Sequence, residues 1–399
     1  MSFVSFFYFA VLLRVFLLII RSNQIKELLH LSTDFQYQNL YDSIVKGMSE
    51  LGFQQLIFIQ HRGDLIKKYN YNYPQTKVWI SYVYRSWMKV FFIARVNKIY
   101  FELKNNNIVT TNSIIMAYFL MTDGAVAYKA HKNLGIPYVV SIRNSDINHY
   151  LKFRPWLKPL ARKILSNAKF IIFVSPGYLD VAREIFGKKF YYEIIYPKVQ
   201  IIGNIINSAW FCENANKSFF NKSNLRLIYF GEFSKNKQIE SIIRAFDILS
   251  TQSTFNPSLT LIGNYGDNCK KIIEMASQRK GIKILNKIDD TLELIKHVDN
   301  HDIFIMPSKT ETFGMAYIEA MARGLPVIYS KGQGIDGYFP DGFIGYSVSD
   351  PIESSIVKRV SDIVKNYKNL SREAQKASKQ FNQQNIIKLY AEIFSSPVQ

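Results

Sequence analysis

Cysteine is nearly absent: Cys212 and Cys269 are the only two in 399 residues, and they are far apart with no C-x-x-C spacing. A disulfide framework and a thiolate zinc site are thereby excluded. Carboxylates are also scarce, with 31 Asp and Glu against 50 Lys and Arg, a formal net charge of +19. No D-x-D triplet occurs, and no His, Asp or Glu cluster with metal-ligand spacing replaces it, so no metal is expected. Only 12 prolines and 19 glycines are present, which rules out collagen-like and low-complexity character. What remains is 48% apolar residues in a chain long enough for two or three domains. The cations are unevenly placed. Residues 1–200 hold 26 basic and 11 acidic residues, +15, and residues 201–399 hold 24 and 20, +4. This asymmetry points to an anionic partner met mainly by the first half: a membrane surface, nucleic acid or a phosphorylated acceptor. A generally basic proteome is the plain alternative.

Residues Phe3–Ile20 are apolar except for Ser5 and Arg14. Eighteen residues is near the lower limit for a membrane span, and Arg14 inside it is expensive. No basic region precedes it and no A-x-A site follows, which argues against a cleaved signal. Residues 1–24 therefore read as a short anchor, an interfacial segment or a non-native extension. Beyond them the pattern alternates. Ile25–Ser32, Gln55–Gln60, Val109–Leu120, Tyr138–Ile142 and Phe170–Val174 are strand-like, with Tyr41–Leu51 helical. The rhythm restarts with Arg226–Phe230, a helix over Ile239–Leu249, then Ser258–Gly263, Lys283–Leu285, Asp302–Met306 and Pro326–Tyr329. Repeated βα units predict parallel sheets covered by helices on both faces. The polar stretch Asn207–Asn224 is the natural linker. The expected architecture is α/β, with two Rossmann-like doubly wound domains, 25–206 and 207–383, facing a central cleft.

The segment Asp302–Ser330 carries the chemistry. A strand ends at Pro307, a polar loop holds Glu311, and Thr312 is the expected N-cap of a helix reaching Arg323. Helical periodicity puts Met315, Ile318 and Ala322 on the buried stripe and Glu319 at its edge, where a carboxylate needs a partner. Glu311 falls at the carboxyl end of a parallel strand, where open α/β sheets bind ligands. Phe313 and Gly314 bring backbone N–H groups suited to phosphate. Glu311 and Glu319 are framed as P-S-x-x-E-x-F-G-x-x-x-x-E-A-M-x-x-G-x-P-V-I. This pattern resembles the donor-site signature of retaining glycosyltransferases of the GT-B fold, family 4.

Other segments resemble the family in order. Gly231 to Ile239, GEFSKNKQI, is similar to its G-R-x-x-x-x-K turn, with Lys237 at the lysine and Glu232 where the family has arginine. The resemblance implies that Lys237 holds the donor diphosphate, with Lys235 as a substitute for the arginine. Gly263 lies in a turn near the nucleotide, and Gly334 in the G-Q-G-I-D-G loop near phosphate or sugar. Glu319 would bind ribose and Glu311 the donor sugar. In the first domain Leu29–Tyr41, Thr122–Ala127, Ser141–Asn148 and Gly203-Asn204 recur in related polysaccharide enzymes. Arg143 and Asn144 stand where many relatives have a histidine, and Met116 and Tyr118 where an I-H-A-H-like segment is expected. Arg143, Asn144 and Asp146 are the catalytic candidates there, with a structural polar loop as the alternative. The last helix, in residues 384–399, would pack back on the first domain.

The implied activity is a retaining transfer, of hexosyltransferase type, from a nucleotide-diphosphate sugar without metal or other cofactor. The expected acceptor is a lipid-linked or polysaccharide glycan at the cytoplasmic face of an anionic membrane. Tyr150–Lys169 and Arg85–Lys104 mix aromatic and basic residues in a way that suits such a surface. No nucleic-acid motif is recognisable, so no nucleic-acid partner is expected. A non-catalytic binding subunit and a GT-B sugar-nucleotide epimerase or phosphorylase are the competing readings.

Overall fold

The computed structural model describes residues 27–32, 40–60, 72–81, 91–110, 112–212, 224–252, 256–350 and 352–396. The expectations for residues 1–24 and for Trp87 lie outside these. Contacts divide the chain into two compact units. The first runs to Val174 and adds Val181–Ile205 and the chain from Ile386 onward; the second comprises Ser175–Asp180 and Ile206–Asn385.

The first unit is built on seven parallel strands: β1 (Glu27–Ser32), β2 (Gln55–Gln60), β3 (Thr76–Ser81), β4 (Ser113–Ala117), β5 (Tyr138–Ile142), β6 (Phe170–Phe173) and β7 (Val199–Ile201). Their order is β3-β2-β1-β4-β5-β6-β7. The strands β2, β4 and β5 are buried at every position. That is why they read as unbroken apolar runs rather than alternating ones. The edge strand β3 has no such run, since Lys77 and Val78 are exposed, and periodicity did not predict it. Glu102 on helix α2 (Phe92–Asn105) fixes that edge by accepting from Trp79 Nε1 at 2.9 Å and Ser81 Oγ at 2.6 Å. Of the predicted Val109–Leu120 strand, only Ser113–Ala117 is extended.

Inside this sheet His30 is fully buried. Its Nε2 faces Gln55 Oε1 at 2.8 Å and its Nδ1 faces Tyr118 OH at 2.9 Å. Because an amide oxygen can only accept, Nε2 carries the proton and Nδ1 accepts from the phenol. Burial pushes this imidazole down to about 4. Tyr118 thus supports the core where the resemblance led us to expect a histidine, and Met116 is equally buried. Helix α1 (Leu40–Glu50) carries Gly47, and a Cβ there would meet Ile387 Cδ1 at 2.8 Å. Ile387 belongs to the last helix, α7 (Gln383–Ser395), which lies on the first unit from Ile386.

The second unit holds six parallel strands: β8 (Arg226–Phe230), β9 (Ser258–Gly263), β10 (Ile282–Asn286), β11 (Ile303–Ile305), β12 (Val327–Ser330) and β13 (Gly345–Val348). Their order is β10-β9-β8-β11-β12-β13. Two acid–base pairs, each with one buried member, pin the strand entries. Asp302 accepts from Arg226 through Nε at 3.0 Å, Nη2 at 2.7 Å and the backbone N at 2.9 Å. Arg323, 1% exposed, is held by Asp299 at 2.7 and 2.8 Å and donates to the Cys212 carbonyl at 2.9 Å. That last bond ties down Ser208–Phe211, a 3-10 turn with Trp210 buried. The expected linker Asn207–Asn224 therefore begins as packed structure. A linker has no reason to bury a tryptophan; this one stacks on Phe230.

Candidate functional site

The strand order of the second unit reverses between β8 and β11, and it is outside the carboxyl ends of the strands at such a switch point that open α/β sheets bind ligands. Both expected donor-site loops leave from there. After β8 the chain turns at Gly231, makes a 3-10 turn over Lys235–Lys237 and enters helix α5 (Ile239–Thr251) through Gln238 in the left-handed region. After β11 it runs through Ser308–Glu311 to helix α6 (Met315–Ala322).

The two loops meet through side chains. Lys237 Nζ lies 2.5 Å from Glu311 Oε2, with both side chains largely shielded, 18% and 16% exposed. Charge-assisted contacts of this length are the strong ones, and partial burial reduces screening. Asn236 reinforces the junction. Its Nδ2 donates to Thr310 O at 2.8 Å, while its Oδ1 accepts from Thr310 N at 3.0 Å and Thr310 Oγ1 at 2.8 Å. A third loop, after β12, holds Glu311 from the other side. Gln333 Oε1 accepts from Glu311 N at 3.0 Å, and Gly334 N donates to Glu311 O at 2.7 Å.

Two glycines are required by this packing. Gly334 has φ +58°, and a Cβ there would meet Glu311 Cγ and Tyr317 Cε2, both at 3.0 Å. Gly314 has φ +75°, with Tyr317 and Glu311 beside it. Gly314, not Thr312, is the N-cap of α6, which begins at Met315. Thr312 instead donates its backbone N–H to Glu311 Oε1 at 3.1 Å. The tight, left-handed turn at Gly314 delays the helix by two residues. Met315, the first residue of α6, is 39% exposed and not on the buried stripe expected for it, whereas Ile318 and Ala322 are buried as the periodicity predicts. Phe313 is buried in an aromatic cluster with Phe381 and Tyr338, at centroid distances of 5.3 and 6.1 Å.

Glu319 is half-buried on α6 and has no hydrogen-bond or ion-pair partner among the described residues. Desolvation alone pushes its carboxyl up to about 7. The partner expected for it within the protein is therefore missing, and the helix keeps a carboxyl able to donate or accept near neutrality. Lys235 is exposed, and its backbone N–H donates to Asp267 Oδ1 at 3.1 Å. Glu232 is exposed as well. Gly263 permits the end of β9 to approach Gly231, whose carbonyl oxygen occupies the place of a Cβ.

In the first unit the reversal lies between β1 and β4. Asp146 is 1% exposed, and its carboxylate accepts from the backbone N–H groups of Leu120, Met121 and Arg143, each at 3.0 Å. These bonds join the loop after β5 to the start of helix α3 (Thr122–Leu134). Burial outweighs them and raises the carboxyl to about 6. Its oxygens are engaged by the fold, which makes it a loop clamp. Arg143 is half-buried and donates from Nη1 to Asn204 Oδ1 at 3.0 Å, and its Nε has no hydrogen-bond partner. Asn144 accepts from Asn148 Nδ2. Asn236 and Gln333 escaped sequence reasoning as site-forming side chains. Their partners lie 74 and 22 residues away, and nothing local marks such contacts.

Two doubly wound parallel sheets, the second with this loop arrangement, define the GT-B class. Residues 212–381 match the family model described as glycosyl transferases group 1. Over 296 residues the chain is 22% identical to N-acetyl-alpha-D-glucosaminyl L-malate synthase of Bacillus anthracis, covering 70% of this chain and 74% of that protein. It is 26% identical to the capsular polysaccharide biosynthesis glycosyltransferase CapH of Staphylococcus aureus, covering 42% of this chain and 47% of CapH. The structure of Anabaena HepE in complex with UDP and glucose superposes with a TM-score of 0.63, covering 92% of this chain and 98% of HepE at 16% identity. The family match and these relatives' names support a glycosyltransferase of GT-B fold.

Proposed function

We propose that this chain is a retaining transferase of the hexosyl type, moving a sugar from a nucleotide-diphosphate sugar to a lipid-linked or polysaccharide acceptor in cell-surface glycan synthesis. The observation that carries the reading is the meeting of Lys237 and Glu311 at the strand-order reversal of the unit that matches the family model. Departure of a nucleoside diphosphate builds negative charge on its terminal oxygens, and a fixed cation beside that position lowers the barrier. Lys237, steadied by Glu311, is such a cation. Glu311 would accept from donor-sugar hydroxyls through the oxygen that Lys237 does not hold. Glu319, desolvated and without a protein partner, is suited to ribose hydroxyls. Arg143 and Asn144 are the candidates for the acceptor side of the reaction.

No carboxylate pair of the glycosidase kind is needed for retention in this scheme. Attack on the same face, with the leaving phosphate taking the acceptor proton, uses only the groups named. We further propose that the reaction is metal-independent and takes place at the cytoplasmic face of the membrane. Among the described residues no group of three or more His, Cys, Asp or Glu is arranged to hold a metal, and no helix is long and apolar enough to cross a membrane.

A panel of nucleotide sugars, assayed in EDTA for thermal stabilisation and for transfer of labelled sugar to membrane lipids, tests the reading. At a hundred times its Kd the right donor stabilises by about 2.7 kcal/mol, and the product should keep the donor's anomeric configuration by NMR. If no nucleotide sugar or nucleoside diphosphate shifts the melting temperature, the donor site is wrongly assigned.

A further inference from the structure

The chain from Tyr150 to Lys169 contains six basic and no acidic residues. It forms a 3-10 turn, Pro155–Leu157, followed by helix α4 (Lys158–Asn167). Among the described residues its Trp156 and Phe153 are the most exposed large apolar side chains of the molecule, at 70% and 63%. Such exposure means that both project from the surface and do not line a groove. Lys152 sits over the Phe153 ring at 5.9 Å, and Arg154 over Tyr150 at 5.2 Å. One turn into α4, Arg162 donates to the Phe186 carbonyl at 2.6 Å and stacks over Phe190 at 5.0 Å. It thereby draws the segment Lys188–Tyr196 alongside. That segment adds exposed Tyr192 and Tyr196, at 52% and 59%. A concavity of about 410 Å³ lies between Arg162, Lys188, Lys189, Phe190 and Glu193.

We infer that this face of the first unit docks on an anionic lipid bilayer, with Phe153 and Trp156 entering the headgroup–acyl boundary and the surrounding lysines and arginines meeting lipid phosphates. The partner follows from two features together. Projecting aromatics lower their free energy by leaving water for the interface, and amphipathic cations keep their stems on the apolar side with the charge in the headgroups. The cations of Tyr150–Lys169, with Lys188 and Lys189, outnumber the one carboxylate of this face, Glu193, and complement an anionic surface better than a neutral one. A single-stranded nucleic acid also combines cations with aromatics, but it stacks its bases on platforms set in a groove that tracks the backbone. A tryptophan standing 70% exposed on a short turn is no such groove. The inference rests on the membrane-side acceptor of the proposed function and gives that membrane its place on the protein.

The test compares full-length proteins, so that residues 1–24 contribute equally to each. Partitioning to phosphatidylcholine vesicles containing one-third phosphatidylglycerol is measured by co-sedimentation at low and high salt. Lys152→Gln with Lys163→Gln and Lys189→Gln should reduce binding about a hundredfold at low salt, at some fivefold per cation, and flatten the salt dependence. Phe153→Ser with Trp156→Ser should reduce it at least tenfold at both salts. Brominated lipid should quench tryptophan emission in the wild type and lose most of that effect in Trp156→Phe, a variant that keeps the ring's bulk. Partitioning unchanged within twofold in both multiple variants, or quenching unaffected by Trp156→Phe, overturns the inference. So does a loss of oligonucleotide affinity with vesicle binding intact, which would make the face a nucleic-acid surface. Stabilisation by nucleotide sugar reads the second unit in the same proteins. Its absence in the wild type would count against the proposed donor site and leave the vesicle result standing.

Discussion

The two units share a topology and use their polar groups differently. In the first, the groups near the strand-order reversal are engaged by the fold: Asp146 by three backbone N–H groups, and His30 between Tyr118 and Gln55. In the second, the corresponding loops place Lys237 against Glu311 and leave Glu319 without a protein partner among the described residues. Hydrogen bonds that close on the backbone make a loop rigid and occupy the carboxylate that accepts them. A shielded ion pair, with an unpaired carboxyl on the helix that follows, leaves the second unit groups that a ligand can engage. The same sheet order therefore does not give the same function, and what distinguishes the units is where the carboxylates find their donors.

The sharpest way to break this comparison is to remove a carboxylate from each unit. Asp146→Ala leaves three buried N–H groups without an acceptor, and bonds to a charged group contribute about 1.5–3 kcal/mol each. Allowing for water and relaxation, urea unfolding should show a loss of about 4 kcal/mol. Glu311→Gln keeps an acceptor for Lys237 but removes the shielded ion pair, so it should cost about 1 kcal/mol in urea unfolding and reduce kcat/KM roughly ten- to a hundredfold. The loss should fall mainly on kcat, since contacts at the reacting sugar strengthen as the glycosidic bond breaks. If Asp146→Ala unfolds like the wild type, or Glu311→Gln turns over at the wild-type rate, the division between the units is misplaced.

Glu319 sharpens the contrast through pH. Its carboxyl, at about 7 in the folded chain against an ordinary value near 4.3 when unfolded, binds its proton more tightly in the native state. Its contribution to stability is complete below the unfolded value and is lost as pH rises toward 7, by roughly 2–3 kcal/mol after allowance for partial exposure. Glu319→Gln, which cannot ionise, should be more stable than the wild type at pH 8 and lose that advantage toward pH 5. It should also raise the donor KM, because ribose is held alike in ground and transition states. His30 has the opposite sign: its lowered pKa makes the wild type lose stability as pH falls from 6.5 toward 4. It acts equally in both proteins, so their difference isolates Glu319. Parallel stability–pH curves for the two would remove Glu319 from the site.

Most of the architecture was legible because buried parallel strands such as β2 and β5 leave apolar runs. The edge strands β3, β7 and β13 carry no such run and were missed, whereas the edge strand β10 was read from Lys283–Leu285. Glu311, Glu319 and Lys237 were readable from their framing residues. The start of α6 was not, because a threonine that suits an N-cap stands two residues before a glycine that takes the position. The role of Asp146 was equally hidden: sequence cannot tell a carboxylate facing a ligand from one facing three backbone N–H groups.

The smallest expected effect belongs to Asn236, which touches neither charge directly yet bonds three times to Thr310, the residue before Glu311. These are solvent-accessible bonds, so their joint net contribution is about 1 kcal/mol. If Asn236 sets where Glu311 stands, Asn236→Ala should reduce kcat about fivefold and leave donor KM nearly unchanged. A general loosening of the loop would predict the same number, so the single variant does not separate the two. The double variant does. Residues that act through one contact are non-additive, and with Glu311→Gln already in place the asparagine has little left to position. Asn236→Ala in that background should therefore change kcat by less than about twofold. A second full fivefold loss in the double variant would show that Asn236 acts independently of Glu311.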